Sequence, residues 1–246
     1  MGLLEGKTAI VTGSSRGIGR GIAQKLTEEG ANVVINFTRS QKSAEKTAAS
    51  LKEIGGKYIL AQADVSDLEQ VNRMVEKAVK EFGAVDIVVN NAVNPVIYRP
   101  FEEQLWDDYQ YQVEGTLKAC FNLVKATMEG MKARKWGRII NISTMGVYMV
   151  KEPGLGAYIT AKSAMLSFAK YLAETLGPYN ITINTISPGL VNTPGTKNTL
   201  PPEVWENGIK NTPLRRNGET EDIAKAVVFF SSNLADWITG TYLPVC

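Results

Sequence analysis

Of the nine tyrosines in the chain, only Tyr158 is followed four residues later by a lysine, Lys162. On a helix that spacing puts the phenol and the ammonium on one face. A positive charge about 4 Å away, at an effective dielectric of about 20, is worth about 4 kcal/mol, or at most about 3 pKa units. That would bring a phenol from about 10 towards 7, where it can donate and recover a proton, provided the lysine outweighs burial. The expectation is therefore a Tyr158 made acidic by Lys162, set against a plain surface contact between the two. There is no histidine in the sequence. This excludes Ser-His-Asp hydrolysis, His-ligated metals and the commonest acid-base side chain, so proton transfer falls to Tyr, Lys, Asp or Glu.

A second group that could do chemistry is the turn Thr12-Gly-Ser-Ser-Arg-Gly-Ile-Gly19, between the apolar run Thr8-Ala-Ile-Val11 and a helix-like segment from Arg20 to Glu29. The order is strand, glycine turn, helix. Unpaired N–H groups and the positive end of the helix dipole favour an anion there, and glycines let a pyrophosphate approach the backbone. Gly13, Ser15, Arg16, Gly17, Ile18 and Gly19 are the candidate cradle of a dinucleotide, against the plainer reading of an αβ turn that binds nothing. Arg39 stands 20 residues beyond Gly19, and no Asp or Glu occurs from Gly30 through Ala44. An NAD site wants a carboxylate there and a 2′-phosphate wants a guanidinium, so Arg39 and Arg16 point to NADP(H), unless both are solvated surface residues. Asp64, followed by Val65, closes the third strand. Ser66-Asp-Leu-Glu69 reads as a capping box, which leaves Asp64 either to accept from an adenine amino group or to serve as a turn aspartate.

The elements that must hold these residues alternate. Strands are expected at Asn32 to Phe37, Tyr58 to Ala63, Asp86 to Asn90, Arg138 to Ile142, Thr182 to Ile186 and Tyr242 to Val245. Helices are expected at Gln41 to Ile54, Asp67 to Phe82, Asp107 to Arg134, Ala157 to Leu176 and Glu221 to Ser232. Short apolar strands between helices imply an α/β fold with a doubly wound parallel sheet and helices on both faces. No linker or repeat interrupts the pattern, so residues 1–246 read as one domain. The exception is the stretch from Pro188 to Pro213, whose five prolines include Pro194, Pro201 and Pro202. It reads as an irregular lid or substrate loop with a short helix around Glu203 to Ile209.

Composition narrows the class. Hydrophobic residues make up 44% and charged residues 21%, the net charge is +2, and no apolar run is long enough to span a bilayer. The expectation is a cytoplasmic protein with neither nucleic acid nor membrane as partner. Two cysteines, Cys120 and Cys246, cannot build a disulfide framework or a thiolate metal cluster. Cys120 is expected simply to pack in a helix, and no metal site is expected.

Taken in order, Thr12-Gly-Ser-Ser-Arg-Gly-Ile-Gly19, Asp64-Val65, Asn90-Asn-Ala92, Tyr158-x-x-x-Lys162, Ser187-Pro-Gly189 and Glu221-Asp-Ile-Ala224 resemble the short-chain dehydrogenase/reductases along nearly the whole chain. The likeness is greatest to the branch containing the 3-oxoacyl-acyl-carrier-protein reductases of fatty acid biosynthesis. Three residues rather than six between Tyr158 and Lys162 argues against the family's enoyl reductases.

The resemblance implies a seven-stranded Rossmann fold and a homotetramer joined through the helices at Asp107 to Arg134 and Ala157 to Leu176. It further implies that Tyr158 protonates a carbonyl oxygen while NADPH delivers hydride, and that Lys162 holds the nicotinamide ribose. Asn91 and Ala92 would flank the cofactor, and Pro188, Gly189, Val191 and Thr193 would line the nicotinamide. Either Thr144 or Ser143 supplies a hydroxyl for the substrate oxygen. Three departures stand out: Val93 replaces a glycine, Thr116 replaces a helix asparagine with Glu114 nearby, and the loop before Tyr158 is one residue longer than usual. The implied function is an NADPH-dependent carbonyl reductase, reversible as an alcohol dehydrogenase, acting on a 3-oxoacyl thioester carried on acyl-carrier protein or coenzyme A. The alternatives are a reductase of a sugar, steroid or small ketone and, from another class, a non-catalytic dinucleotide-binding sensor or scaffold.

Overall fold

The computed structural model of the chain describes residues 2–149, 153–199 and 202–246. Seven strands, β1 (Thr8–Val11), β2 (Asn32–Phe37), β3 (Tyr58–Gln62), β4 (Ile87–Asn90), β5 (Gly137–Ile142), β6 (Ile181–Pro188) and β7 (Tyr242–Val245), form one sheet in the order β3-β2-β1-β4-β5-β6-β7. Every pairing is parallel. The helices between them are α1 (Gly17–Glu28), α2 (Gln41–Glu53), α3 (Leu68–Phe82), α4 (Trp106–Val113), α5 (Ala119–Arg134), α6 (Gly156–Leu176), α7 (Pro194–Thr199), α8 (Pro202–Asn211) and α9 (Thr220–Ser231).

Successive strand residues point to opposite faces, and both faces here are covered. Val11, Ile35, Val89 and Ile140 enter the core that holds Ile22 of α1, Leu51 of α2 and Val227 of α9. Their neighbours Ile10, Val34, Val88 and Ile139 enter the opposite core with Met74 of α3, Leu123 of α5 and Met165 of α6. Burial on two sides is why the strands read as unbroken apolar runs. The strand order reverses between β1 and β4, and a ligand crevice opens at the carboxyl ends of strands at such a point. The glycine turn after β1 and Asn91-Ala92 after β4 both lie there.

The local expectations need four corrections. First, α1 begins at Gly17, not Arg20, so two of the glycines belong to the helix. Second, the helix expected over Asp107 to Arg134 is interrupted by a π-helical turn, Glu114–Lys118, in which the N–H of Ala119 reaches back five residues to Glu114 O. Third, the stretch from Pro188 to Pro213 carries α7 and α8 instead of one short helix. Pro194 and Pro202 occupy first helical positions, where no N–H is needed; Pro201 lies outside the described residues. Fourth, Asp67 rather than Ser66 caps α3, its Oδ1 accepting from Glu69 N–H at 2.9 Å and Gln70 N–H at 3.1 Å. Among the described residues no helix is long and apolar enough to cross a membrane.

Candidate active site

The glycine turn is shaped by backbone geometry that side chains would spoil. Gly13 and Gly17 take φ of 63° and 56°, a region costly for other residues. A Cβ on Gly19 would stand 2.5 Å from Gly13 O and 2.6 Å from Asn91 Nδ2. The first turn of α1 contains no acidic residue, and Arg16 before it makes no side-chain cap. Its leading N–H groups are thus left for an external anion, and the residues present fit a dinucleotide pyrophosphate. Thr193 closes over the turn, its methyl and Cβ 3.7 Å from where a Cβ on Gly17 would lie.

At the end of β5 the chain brings together the three groups expected to do chemistry. The half-buried phenol of Tyr158 lies near Thr144, whose hydroxyl favours the phenolate and whose Oγ1 accepts from Gly146 N–H at 3.2 Å. Lys162, one helical turn further on α6, is 2% exposed and donates from Nζ to Ile142 O at 2.7 Å. Its Nζ lies 5.9 Å from the centre of the Tyr158 ring. Burial pulls the Lys162 pKa down to about 8. Burial pushes Tyr158 up to about 12, with the nearby Thr144 hydroxyl opposing. The expected acidic phenol is thus overturned in the free protein. The ammonium is committed to a backbone carbonyl, and desolvation wins.

Comparison with known proteins places the chain in a family. Residues 13–246 match the family model described as Enoyl-(Acyl carrier protein) reductase. The chain is 36% identical over 241 residues to the 3-oxoacyl-[acyl-carrier-protein] reductase FabG of Staphylococcus aureus, covering 97% of this chain and 96% of that one. It is 39% identical over 245 residues to an uncharacterized oxidoreductase of Methylorubrum extorquens, covering 98% and 96%. A 7 alpha-hydroxysteroid dehydrogenase, solved in complex with NADH and 7-oxo glycochenodeoxycholic acid, matches with a TM-score of 0.93 at 30% identity, over 98% of this chain and 93% of that one. The chain belongs to the short-chain dehydrogenase/reductase family. It is an oxidoreductase of CH–OH and C=O groups.

Within this short-chain dehydrogenase/reductase the two candidate hydroxyls separate. Ser143 has its N–H on Ile186 O at 2.7 Å and its buried Oγ without a partner, whereas Thr144 meets Tyr158. Thr116 is 3% exposed in the π turn with its hydroxyl unpartnered. Asn91 spends its side chain on the glycine turn, donating to Thr12 O at 2.8 Å, while Thr12 Oγ1 accepts from the N–H groups of Asn91 and Ala92, each at 2.9 Å. The pair thereby locks β4 to β1. Exposed Asp64 has a turn duty of its own, its Oδ1 accepting from Ser66 N–H and Oγ–H at 2.9 and 2.7 Å. Val65 is buried and its carbonyl accepts from Asn122. Arg16 and Arg39 are exposed, with no ion pair to either among the described residues. Pro188 ends β6, Gly189 packs against Cys246, and Val191 is buried beside Gly218. Among the described residues no three His, Cys, Asp or Glu side chains gather as a metal site requires.

Several positioning residues escaped the sequence reading. Asn36, 1% exposed, accepts from Gly13 N–H through Oδ1 and donates to Ala61 O and Ala63 O, and its own N–H donates to Ser14 Oγ. It ties the turn to β2 and β3. Arg20 donates to Ser15 O and to Thr47 Oγ1. Cys120 does more than pack: Asn90 Nδ2 donates to its sulfur at 3.3 Å and to Asn141 Oδ1 at 2.8 Å, and burial pushes the thiol up to about 12. The available signal was polarity, an asparagine interrupting an otherwise apolar strand at 36, 90 and 141.

Proposed function

We propose that this oxidoreductase reduces a carbonyl to an alcohol with NADPH, reversibly, and that its substrate is a 3-oxoacyl thioester. The observation that carries the reading is Tyr158 beside the Thr144 hydroxyl with buried Lys162 one turn away, at the carboxyl ends of the strands, where the uncapped end of α1 also lies. Bound NADPH supplies the hydride. Thr144 holds the substrate oxygen beside the phenol. Tyr158, protonated at neutral pH, gives its proton to that oxygen as negative charge develops. The Lys162 ammonium, held by Ile142 O, stabilises the phenolate left behind, which solvent reprotonates.

The cofactor assignments follow the same pattern. Gly13, Ser15, Gly17, Ile18 and Gly19 cradle the pyrophosphate, and Arg16 and Arg39 take the 2′-phosphate. Asp64 and Val65 border the adenine, with Asn91 and Ala92 flanking the cofactor and Pro188, Gly189, Val191 and Thr193 lining the nicotinamide. The likeness to FabG over nearly the whole chain supports the thioester, selected by the loop at 188–213. Phe121 and Tyr171, 44% and 65% exposed on α5 and α6, support pairing of these helices in a homotetramer.

The test is loss of NADPH absorbance with a panel of 3-oxoacyl thioesters, ketosteroids, sugars and small ketones, beside NADPH binding by fluorescence. Turnover of the thioesters, lowered by about 10²- to 10⁴-fold in Tyr158→Phe, is expected. Binding without turnover of any member points instead to a dinucleotide sensor. Arg39→Asp is expected to weaken NADPH at least 10-fold more than NADH, since it places a carboxylate where the phosphate sits; equal loss for both cofactors removes the phosphate assignment.

A further inference from the structure

The loop between β4 and α4 is pinned at both ends by side chains that the reaction itself does not use. Nδ2 of Asn94 donates to Tyr111 O at 2.7 Å, Nε2 of Gln112 donates to Pro95 O at 2.8 Å, and Nη1 of Arg99 reaches Asp108 Oδ2 at 3.3 Å. The far end of the loop rests on the segment entering α6. There the N–H of Arg99 donates to Gly154 O at 3.1 Å, and the Tyr98 ring lies so close to Gly154 that a Cβ would stand 2.8 Å from it.

The Asn94 side chain is also the one that packs on the π turn, against Gly115. In that turn the amide–carbonyl ladder slips by one residue, an irregularity that needs support from outside the helix. Tyr111 offers its carbonyl just before the turn, and Gly115 inside it makes room. A Cβ on Gly115 would stand 2.4 Å from Cγ and 2.5 Å from Nδ2 of Asn94. Val93, 41% exposed, precedes Asn94; Thr116, buried with its hydroxyl unpartnered, follows Gly115. α6, which carries Tyr158 and Lys162, packs against the same turn.

We propose that Asn94 is a positioning residue for carbonyl reduction: its amide, seated on Gly115 and bonded to Tyr111 O, locks the β4–α4 loop to the π turn and fixes Val93 and Thr116 relative to each other. The kinetic consequence rests on the reductase reading above; the clamp rests on geometry alone. Two variants probe it. Asn94→Asp keeps the size, removes the donor and sets a carboxylate against a carbonyl, while Gly115→Ala puts a methyl where the amide sits.

Backbone hydrogen exchange and steady-state kinetics are measured on both variants and on the double variant. Exchange is expected to rise about 10-fold or more in residues 94–99 and 111–118 and to stay unchanged elsewhere. kcat for the carbonyl substrate is expected to fall about 10-fold while NADPH affinity holds within 2-fold, and the double variant is expected to be no worse than the poorer single one. Unchanged exchange in Asn94→Asp overturns the clamp. A parallel fall in kcat, NADPH affinity and melting temperature overturns the positioning role, because it marks general destabilisation. A wild-type protein that reduces nothing, yet shows the confined exchange response, removes the reductase reading and leaves the clamp in place.

Discussion

A buried cation lies at each end of β5, and the two are treated in opposite ways. Near its amino end Arg138 is 0% exposed, donates to Asp236 Oδ1 at 2.5 Å, and lies 4.4 Å over the Trp136 ring. At its carboxyl end Ile142 O receives the ammonium of Lys162, for which no carboxylate partner occurs among the described residues. Burial lowers the pKa of both, but at Arg138 the hydrogen bond to Asp236 opposes it. At Lys162 only the proximity of Cys120 pulls the other way. A buried charge without a counter-charge costs stability. The arginine has the surroundings of a structural cation, whereas the lysine is held at a cost that the proposed reaction beside Tyr158 accounts for.

Removing each cation in turn is the sharpest way to break this contrast. Lys162→Met is expected to lower kcat/KM for carbonyl reduction by about 10²- to 10⁴-fold, the range for loss of an acid-base group, while raising or preserving the denaturation midpoint. Arg138→Ala is expected to do the reverse, costing about 3 kcal/mol of stability through lost packing on Trp136 and lost bonds to Asp236 and Asn180 O, with kcat changed less than 3-fold. Denaturant melts and initial rates on the same preparations decide it. A destabilised Lys162→Met would mean that the lysine, too, is mainly structural.

The same strand shows what the sequence makes legible. Gly137 to Ile142 reads as a strand because Ile139 and Ile140 enter opposite cores, and two-sided burial writes itself as an apolar run. Arg138 and Asn141 within that run carry no such signal, since their partners Asp236 and Asn90 are far away in sequence. Tyr158 and Lys162 are legible because one helix fixes their spacing. The direction of the Tyr158 shift is not, because it depends on where the ammonium is held and how much water is excluded. The π turn is hidden because Trp106 to Arg134 has helical character throughout, and its periodicity carries no mark of the slip at Glu114–Lys118. The prolines of the 188–213 stretch misled because Pro blocks helix interiors but suits helix starts.

A pH series sharpens the contrast further. The folded pKa of Lys162, about 8, lies below its ordinary value of 10.5. Between those values the unfolded chain holds a proton that the folded protein has released, so folding stability rises with pH across that window, and the penalty is fully present below about 8. From pH 7 to pH 9.5 the wild type is expected to gain about 2 kcal/mol relative to Lys162→Met. Arg138→Ala should follow the wild-type slope, because Arg138 stays charged throughout. Over the same interval ketone reduction by the wild type should slow as pH passes about 8 and the ammonium beside Tyr158 is lost. Identical slopes in wild type and Lys162→Met would show that the lysine titrates no differently once folded.

The smallest effect separates two neighbours just past the carboxyl end of β5. Ser143 and Thr144 adjoin, and in extended backbone adjacent side chains face opposite ways; Thr144 takes φ −154° and ψ 149°. Only Thr144 therefore meets Tyr158, while the Ser143 hydroxyl is buried without a partner. Ser143→Ala removes an unsatisfied hydroxyl and is expected to leave kcat/KM within 3-fold and stability unchanged or slightly raised. Thr144→Ser should retain most activity, since the hydroxyl survives, and Thr144→Val should lose about 10²-fold with folding intact. If Ser143→Ala proves the damaging change and Thr144→Val the silent one, the substrate oxygen binds on the opposite side of the chain, and the approach of Thr144 to Tyr158 belongs to the resting protein rather than to the reaction.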